Sequence, residues 1–440
     1  MKYNNMKINK PENSNYAGVV CEIKNIISLS NCDNLQHAVI LGNLIVVDKT
    51  VKVGDVGIMF PLESQLSHEY CVYNNLYRDK DLNIDKNKGG YMELTRRIRC
   101  VKLRGNKSEG LFMPLESLDF ITDLNKDELN IGLEFDTIND INICKKYVVV
   151  NQKSSGLGGG TKKAKQPKKS KLVENQFRFH QDTSMLYKNI HRILPETLIS
   201  ITYKCHGTSA ISSKILCKLQ LKWYEKLLKK LGVNIIDTQY DNIYSSRKVL
   251  KNEHFNSGEG FYGKDNDIWS ITNKTLLDYL DNGMTIYYEV VGYLPSNKDI
   301  QKDFHYGCQI GQHQIYIYRI TYTNTQGKVF EFSARQVQDW SKKMGLTPVP
   351  ELYYGYAKDL YPVKEGQELN VWQEEFLEIL KQKYNEKDCY LCIDKKVPEE
   401  GIVLRVESNE LICYKLKSNA FYAYETAQLD KGESDIESEN

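Results

Sequence analysis

Between Tyr16 and Tyr147 the chain reads as short apolar, β-branched runs broken by turn residues: Gly18-Val-Val-Cys-Glu-Ile23, Ala38-Val-Ile-Leu41, Leu44-Ile-Val-Val47 and Arg97-Ile-Arg-Cys-Val-Lys-Leu103. Several short strands at this spacing predict a small β-barrel or sandwich over residues 14–150. Asn43, between two apolar runs, predicts a hairpin turn. From Arg96 to Gly105 basic and apolar positions alternate, which predicts a strand that buries Ile98 and Cys100, with Leu103 at the margin, and shows cations on its other face. Such a face either tracks phosphates or is simply solvated.

The character changes over residues 151–172, where glycines, a proline and seven lysines replace the apolar runs, and this predicts a linker. Its glycines lack the Gly-Lys-Ser/Thr step into a helix that a phosphate-binding loop requires. From 173 to 428 strand-like and helix-like segments alternate, predicting an α+β domain built on antiparallel sheets. Its strands are Ile286–Val291, Ile315–Ile320, Ile402–Val406 and Ile412–Leu416. Trp372, Phe376, Ile379, Leu380 and Tyr384 fall at helical spacing toward a core, and Lys218–Leu231 is a second amphipathic helix candidate. The acidic residues 429–440 predict a disordered tail.

Composition narrows the picture. Lys and Arg (59) nearly balance Asp and Glu (57), so a nucleic-acid surface has to come from local segregation of charge. The polar amino terminus and the lack of any run of about 18 apolar residues predict an intracellular, cytoplasmic protein with no membrane partner, most simply a monomer, with the lysine-rich linker compatible with nuclear import. Eleven cysteines, mostly scattered among apolar neighbours, read as buried thiols; Cys389 and Cys392 form one C-x-x-C without the second ligand pair that zinc needs.

The segment richest in chemistry is Tyr203-Lys204-Cys205-His206-Gly207-Thr208-Ser209, a lysine at the end of a strand-like run followed by a small-residue turn. Gly207 lets backbone approach a phosphate, and Thr208 and Ser209 offer hydroxyls to phosphate or ribose. This segment resembles the nucleotidyl-transferase signature of ATP-dependent ligases and capping enzymes, and the remaining signature blocks follow in the family's order. Ser246-Arg247 resembles the block whose arginine contacts ribose or phosphates, and Tyr288-Glu289 the strand whose glutamate holds the ribose. Tyr316-Ile-Tyr318 resembles the strand that stacks a ring on adenine, with Tyr318 chosen over Tyr316. Glu400-Gly401 resembles the block whose glutamate handles metal, with Glu289 assisting, and Lys415-Leu416-Lys417 the closing Lys-x-Lys.

The resemblance implies ATP and Mg²⁺ or Mn²⁺ as cofactors, Tyr203, Gly207 and Ser209 in the nucleotide site, and Lys204 as the nucleophile that captures AMP. An ordinary lysine, with a pKa near ~10.4, is protonated at neutral pH, so burial and neighbouring cations such as Lys415, Lys417 or a divalent ion have to disfavour the ammonium. In the family mechanism AMP then passes to an RNA 5′-phosphate, and a 3′-OH displaces it to seal the strand. His206-Gly207-Thr208 and the opening segment Phe179-His180, Asp182-Thr183 point to RNA ligases within the superfamily. Asn31–Leu35, Ala38–Ile40 and Val101–Leu111 with Met113-Pro114-Leu115 resemble the OB-type module of Deinococcus-type RNA ligases, which aids nick recognition. That resemblance makes Arg96, Arg97, Arg99, Lys102 and Arg104 candidates for nucleic-acid contact, and RNA with 3′-OH and 5′-phosphate ends, as a nicked duplex, the expected partner. An insertion around Lys218–Ile235 departs from the family pattern. The alternatives are a GTP-using capping-type nucleotidyltransferase and a non-catalytic RNA-binding protein.

Overall fold

The computed structural model describes residues 6–29, 32–103, 105–148, 172–219, 221–251 and 267–431. Arg104, nearly all of the 151–172 linker and the tail beyond 431 lie outside these residues.

The amino-terminal strands arise where the sequence alternates. Leu35–Ile40 and Asn43–Asp48 pair antiparallel and bury every second residue, Gln36, Ala38 and Ile40 and Asn43, Ile45 and Val47, and Asn25–Ser28 pairs antiparallel with the other side of Leu35–Ile40. The expected hairpin is present, but its turn is Leu41-Gly42, not Asn43: Ile40 pairs with Asn43, and Leu41 and Gly42 carry φ of +50° and +74°. A two-residue turn of this hand needs positive φ at both positions, which glycine supplies without strain. A second sheet runs Glu134–Phe135, Gly18–Glu22, Val56–Pro61, Gly110–Pro114, all antiparallel.

The carboxy-terminal half is built on two sheets, as the α+β reading expects. One has six strands in the order Leu250–Lys251, Thr238–Ser245, Thr208–Lys218, Met284–Gly292, His313–Thr323, Val329–Glu331. The other has five: Ser184–Met185, Ile412–Lys417, Gly401–Val406, Leu198–Tyr203, Glu351–Tyr356. Among the described strands of these sheets, Ser184–Met185 pairs parallel with Ile412–Lys417 and the other strand pairs are antiparallel. Helices Ile268–Leu276 and Ala334–Lys343 cover the first sheet through Trp269, Leu276 and Val337. Lys218 closes a strand, paired with Thr238, so the helix expected from there begins only at Trp223 and ends at Lys230.

Helix Leu369–Tyr384 joins the two halves. Trp372, Phe376 and Leu380 lie on one face and enter an apolar cluster with Ile199, Ile201, Ile402 and Leu404 of the five-stranded sheet and with Ile23, Ala38 and Ile45 of the amino-terminal module. A Cβ on Gly42 would stand 2.7 Å from Leu377 Cδ2, and Lys381 donates to the Gly42 carbonyl, so the hairpin tip is seated directly on this helix. No helix among the described residues is long and apolar enough to cross a membrane.

Candidate active site

The chain crosses from the five-stranded to the six-stranded sheet through Lys204–Gly207, between strands Leu198–Tyr203 and Thr208–Lys218. Below this crossing Tyr203 and Cys205 pack with Tyr306, Tyr316, Cys389, Cys392 and Phe421. The Lys204 amide donates to the Gly401 carbonyl at 2.9 Å, and the His206 amide to the Tyr306 hydroxyl at 2.6 Å. The lysine is thereby carried on anchored backbone in the lining of a cavity of about 430 Å³.

Of the residues singled out from the sequence, Tyr203, Lys204, Ser209, Arg247, Glu289, Tyr318, Lys415 and Lys417 all line this cavity. Glu400 and Gly207 are not among the lining residues but touch residues that are. Glu400, 3 % exposed, places Oε1 2.7 Å from Lys204 Nζ and 3.3 Å from Lys417 Nζ. Burial would push the Lys417 ammonium down, but the carboxylates of Glu425 (3.6 Å) and Glu400 outweigh it and hold Lys417 well above the usual lysine range.

Glu289 sits mid-strand in Met284–Gly292, where every residue is buried, and is oriented by two donors: the Gly207 amide to Oε1 at 3.1 Å and the Ser209 hydroxyl to Oε2 at 3.0 Å. The structural role of Gly207 therefore differs from the expected phosphate approach. A Cβ there would stand 2.2 Å from the Val290 carbonyl oxygen, so glycine is what lets its amide reach the glutamate. Tyr203 likewise commits its hydroxyl, which donates to Glu399 Oε2 at 2.5 Å.

Tyr318 owes its placement to a bulge. Tyr287 pairs with Arg319 and Tyr288 with Ile317, leaving Tyr318 as the extra residue; a bulge of this kind re-aims a side chain relative to regular alternation. The Tyr318 hydroxyl is 2.6 Å from His180 Nδ1. Tyr316 also lines the cavity but is buried against Tyr306. Arg247 pairs with Asp182. Burial would raise the Asp182 carboxyl, yet the hydrogen bond and charge of Arg247, joined by Lys415, hold it below the usual carboxylate range.

Several partners escaped the sequence reading: Glu399, Glu425, Asp182 as an ion-pair partner, and Tyr306. Asp182 alone had a local signal, standing in the Asp182-Thr183 segment.

The basic run is not one cationic face. Among its described residues only Val101–Leu103 is strand, and Arg96 takes a positive φ of +54° with its Nε donating to the Leu66 carbonyl. Arg97 is turned inward, its side chain 2 % exposed, with Nε and Nη2 each 2.7 Å from a Glu63 oxygen. A charged group at that depth has to be paired, which removes it from the exposed face. Arg99 meets Glu93 and Asp430 at 2.9 and 3.1 Å. Asp430 belongs to helix Asn419–Asp430, which runs two residues into the segment expected as tail. Lys102 is exposed, and Ile98 is buried as expected.

Comparison with known proteins agrees with this architecture. A family model described as an OB-fold domain matches residues 18–115. No curated protein sequence matches. Among solved structures, a Naegleria gruberi RNA ligase variant with ATP and Mn superposes with a TM-score of 0.54 at 15 % identity, covering 94 % of this chain and 98 % of that one. An apo variant of the same ligase gives 0.55 at 15 % identity, covering 93 % and 98 %. A third, with AMP and Mn, gives 0.53 at 14 % identity, covering 94 % and 99 %. Along nearly its whole length, the chain therefore shares the fold of an RNA ligase, with an OB-fold domain at its amino-terminal end.

Proposed function

We propose that the protein is an ATP-dependent RNA ligase of the Deinococcus-type arrangement, which seals 3′-OH and 5′-phosphate RNA ends, as in a nicked duplex, through a lysyl–AMP intermediate on Lys204. The observation that carries this reading is the convergence of Lys204, Lys415, Lys417, Glu289, Arg247 and Tyr318 on one cavity, with Glu400 bridging Lys204 and Lys417. Binding RNA alone does not require a lysine paired to a buried carboxylate in the lining of a nucleotide-sized cavity.

In this reading Lys204 first gives its ammonium proton to solvent, and the neutral amine attacks the α-phosphorus of ATP; the N–P bond forms as the P–O bond to pyrophosphate breaks, the pyrophosphate leaves with the electron pair, and the nitrogen releases a second proton to solvent. Lys415 and Lys417 offset the charge that develops on the phosphates. Tyr318, re-aimed by its bulge, offers a ring face to the base, and Glu289, fixed by Gly207 and Ser209, accepts from ribose hydroxyls. The AMP then moves to an RNA 5′-phosphate and is displaced by the 3′-OH.

The donor set suits a hard divalent cation, because Glu400 and Glu289 offer carboxylate oxygens. Among the described residues no group of three or more acidic, His or Cys side chains forms a cage, so such an ion would share its shell with nucleotide phosphates and water. Mg²⁺ or Mn²⁺ bound there would compete with the Lys204 ammonium for Glu400 and neutralise phosphate charge.

The test is incubation with α-labelled ATP or GTP and Mg²⁺ or Mn²⁺, followed by denaturing electrophoresis. Label from ATP alone, absent in Lys204→Ala, supports the ligase reading. Label from GTP favours a capping-type enzyme, and no label from a folded, AMP-free protein favours an RNA-binding protein.

A further inference from the structure

The C-x-x-C pair has no part in the chemistry above, yet it packs against the segment that carries Lys204. Cys389 and Cys392 are 4 % and 5 % exposed and share one cluster with Tyr203 and Cys205, the residues on either side of Lys204. The turn that joins them faces solvent, with Tyr390 56 % and Ile393 82 % exposed. The Cys392 amide donates to the Cys389 carbonyl at 3.1 Å, closing the four residues into a single turn. Both thiols are free, and among the described residues no group of three or more acidic, His or Cys side chains makes a metal site of them.

This turn caps a short hairpin. The Cys389 amide donates to the Val397 carbonyl at 2.8 Å and the Glu399 amide to the Lys387 carbonyl at 2.9 Å, with Asp388 bridged antiparallel to Pro398. The returning arm leads directly into Glu399, which accepts from the Tyr203 hydroxyl, and Glu400, which holds Lys204. The tip makes a second contact: the Tyr390 ring stands edge-on to Tyr203 with centroids 5.1 Å apart. A shift of the turn is therefore felt at Lys204 through Tyr203 and at Glu400 through the stem.

The two sulfurs also differ from the other buried thiols. Burial pushes the thiols of Cys71, Cys144 and Cys205 up. At Cys389 a hydrogen bond from the Cys392 thiol, joined by the Leu391 and Cys392 amides, outweighs burial and holds the thiol below its usual range. A sulfur with more thiolate character is the one an oxidant meets first.

We propose that Cys389 and Cys392 are an oxidation site, closed to a disulfide by hydrogen peroxide, and that the closed turn slows lysyl–AMP formation at Lys204. The Cys389 thiolate attacks one peroxide oxygen; the O–O bond breaks, leaving a sulfenic acid and a hydroxide that takes up the thiol proton as water. The Cys392 sulfur then attacks the sulfenic sulfur, the S–S bond forms as the S–O bond breaks, and a second water leaves with the Cys392 proton. Two electrons pass from the sulfur pair to the peroxide. A disulfide has a fixed geometry that two free thiols do not need, so forming it moves the turn that carries Tyr390 and leads to Glu400. The effect on Lys204 rests on the nucleotidyl-transfer reading above; the disulfide itself does not.

The experiment uses the full chain, reduced and then treated with hydrogen peroxide, as wild type and Cys389→Ala. Peptide mass spectrometry is expected to find Cys389 joined to Cys392. Lysyl–AMP should then form from α-labelled ATP about tenfold more slowly, since a small displacement of a reacting group costs that much or more. Dithiothreitol should reverse both changes. Cys389→Ala is expected to label at the same rate before and after treatment, and Cys392→Ala, which also lacks the bond, replaces it if it fails to fold. Peroxide that leaves the pair unjoined, a crosslink of either sulfur to Cys205, or a closed disulfide with unchanged labelling overturns the proposal. A reduced wild type that forms no lysyl–AMP overturns the ligase reading, and the mass spectrum still decides whether the pair closes.

Discussion

Lys204 Nζ lies 2.7 Å from Glu400 Oε1, and Lys417 Nζ reaches the same oxygen at 3.3 Å. One buried carboxylate therefore serves two ammonium groups, and removing it differs from removing either lysine. Glu400→Ala is expected to cost about 3 kcal/mol of stability, because it takes a buried carboxylate away from two ammonium groups at once. It should also reduce lysyl–AMP formation at least about 100-fold. Lys204→Ala leaves Glu400 on Lys417, so the stability loss should stay near ~1 kcal/mol while labelling disappears. Thermal unfolding of the two variants beside the labelling assay decides this; equal destabilisation would show that Lys417 does not compensate.

At Gly207 the prediction is about backbone. Its missing Cβ would collide with the Val290 carbonyl at 2.2 Å and with Val291 Cγ1 at 2.8 Å. Gly207→Ala is expected to cost about 1–3 kcal/mol, as overpacking does, and to move the amide that orients Glu289. Ser209→Ala removes the second donor to that carboxylate with no clash and should cost only about 1 kcal/mol. Denaturant midpoints rank the pair, and both variants should raise the KM for ATP if Glu289 holds the ribose.

His305 sets a pH dependence away from the nucleotide cavity. Its Nδ1 is 2.5 Å from Asp394 and its Nε2 3.2 Å from Asp299, with the ring stacked on Tyr293 at 4.4 Å. Burial alone would lower its pKa, but the two carboxylates outweigh it and raise the ring above its ordinary value of 6.5. The folded state thus binds this proton more tightly than the unfolded chain. The stabilisation is complete below pH 6.5 and is lost as pH rises through the folded value. Stability measured from pH 6 upward should fall in the wild type, with that component absent in His305→Asn; identical profiles would show that the ring does not titrate there.

What the sequence made legible was what neighbouring residues encode. The β-branched runs Ala38–Leu41 and Leu44–Val47 mark the strands Leu35–Ile40 and Asn43–Asp48 to within a few residues, and the blocks around Lys204, Glu289, Glu400 and Lys417 are legible because each is a short contiguous run. Contacts between distant segments were not legible. Tyr203 meets Glu399 across 196 positions, and no local pattern marks that pair. The bulge that frees Tyr318 depends on how two strands register, which alternation in one strand does not carry. The hairpin tip was misplaced onto Asn43 because Leu41 is an unusual residue at positive φ, tolerated here beside Gly42.

The same limit explains Arg97, and it yields a last prediction. Alternating charge in the Arg96–Arg104 run suggested a phosphate-facing strand, but Arg97 is held by Glu63 from the neighbouring segment and approaches Asp430 and Thr426 of the last helix. Arg97→Ala leaves Glu63, 7 % exposed, without its guanidinium and is expected to destabilise the protein by about 3–5 kcal/mol. Lys102 is exposed and in no ion pair among the described residues, so Lys102→Ala should change stability by less than about 0.5 kcal/mol. If Lys102 touches an RNA backbone, that variant should bind nicked RNA more weakly at every sequence and flatten the slope of log K against log salt by about one. Unfolding and salt-titrated binding on both variants separate the roles: a stable Arg97→Ala with a reduced salt slope would return Arg97 to the nucleic-acid surface and show that its pairing with Glu63 yields when RNA arrives.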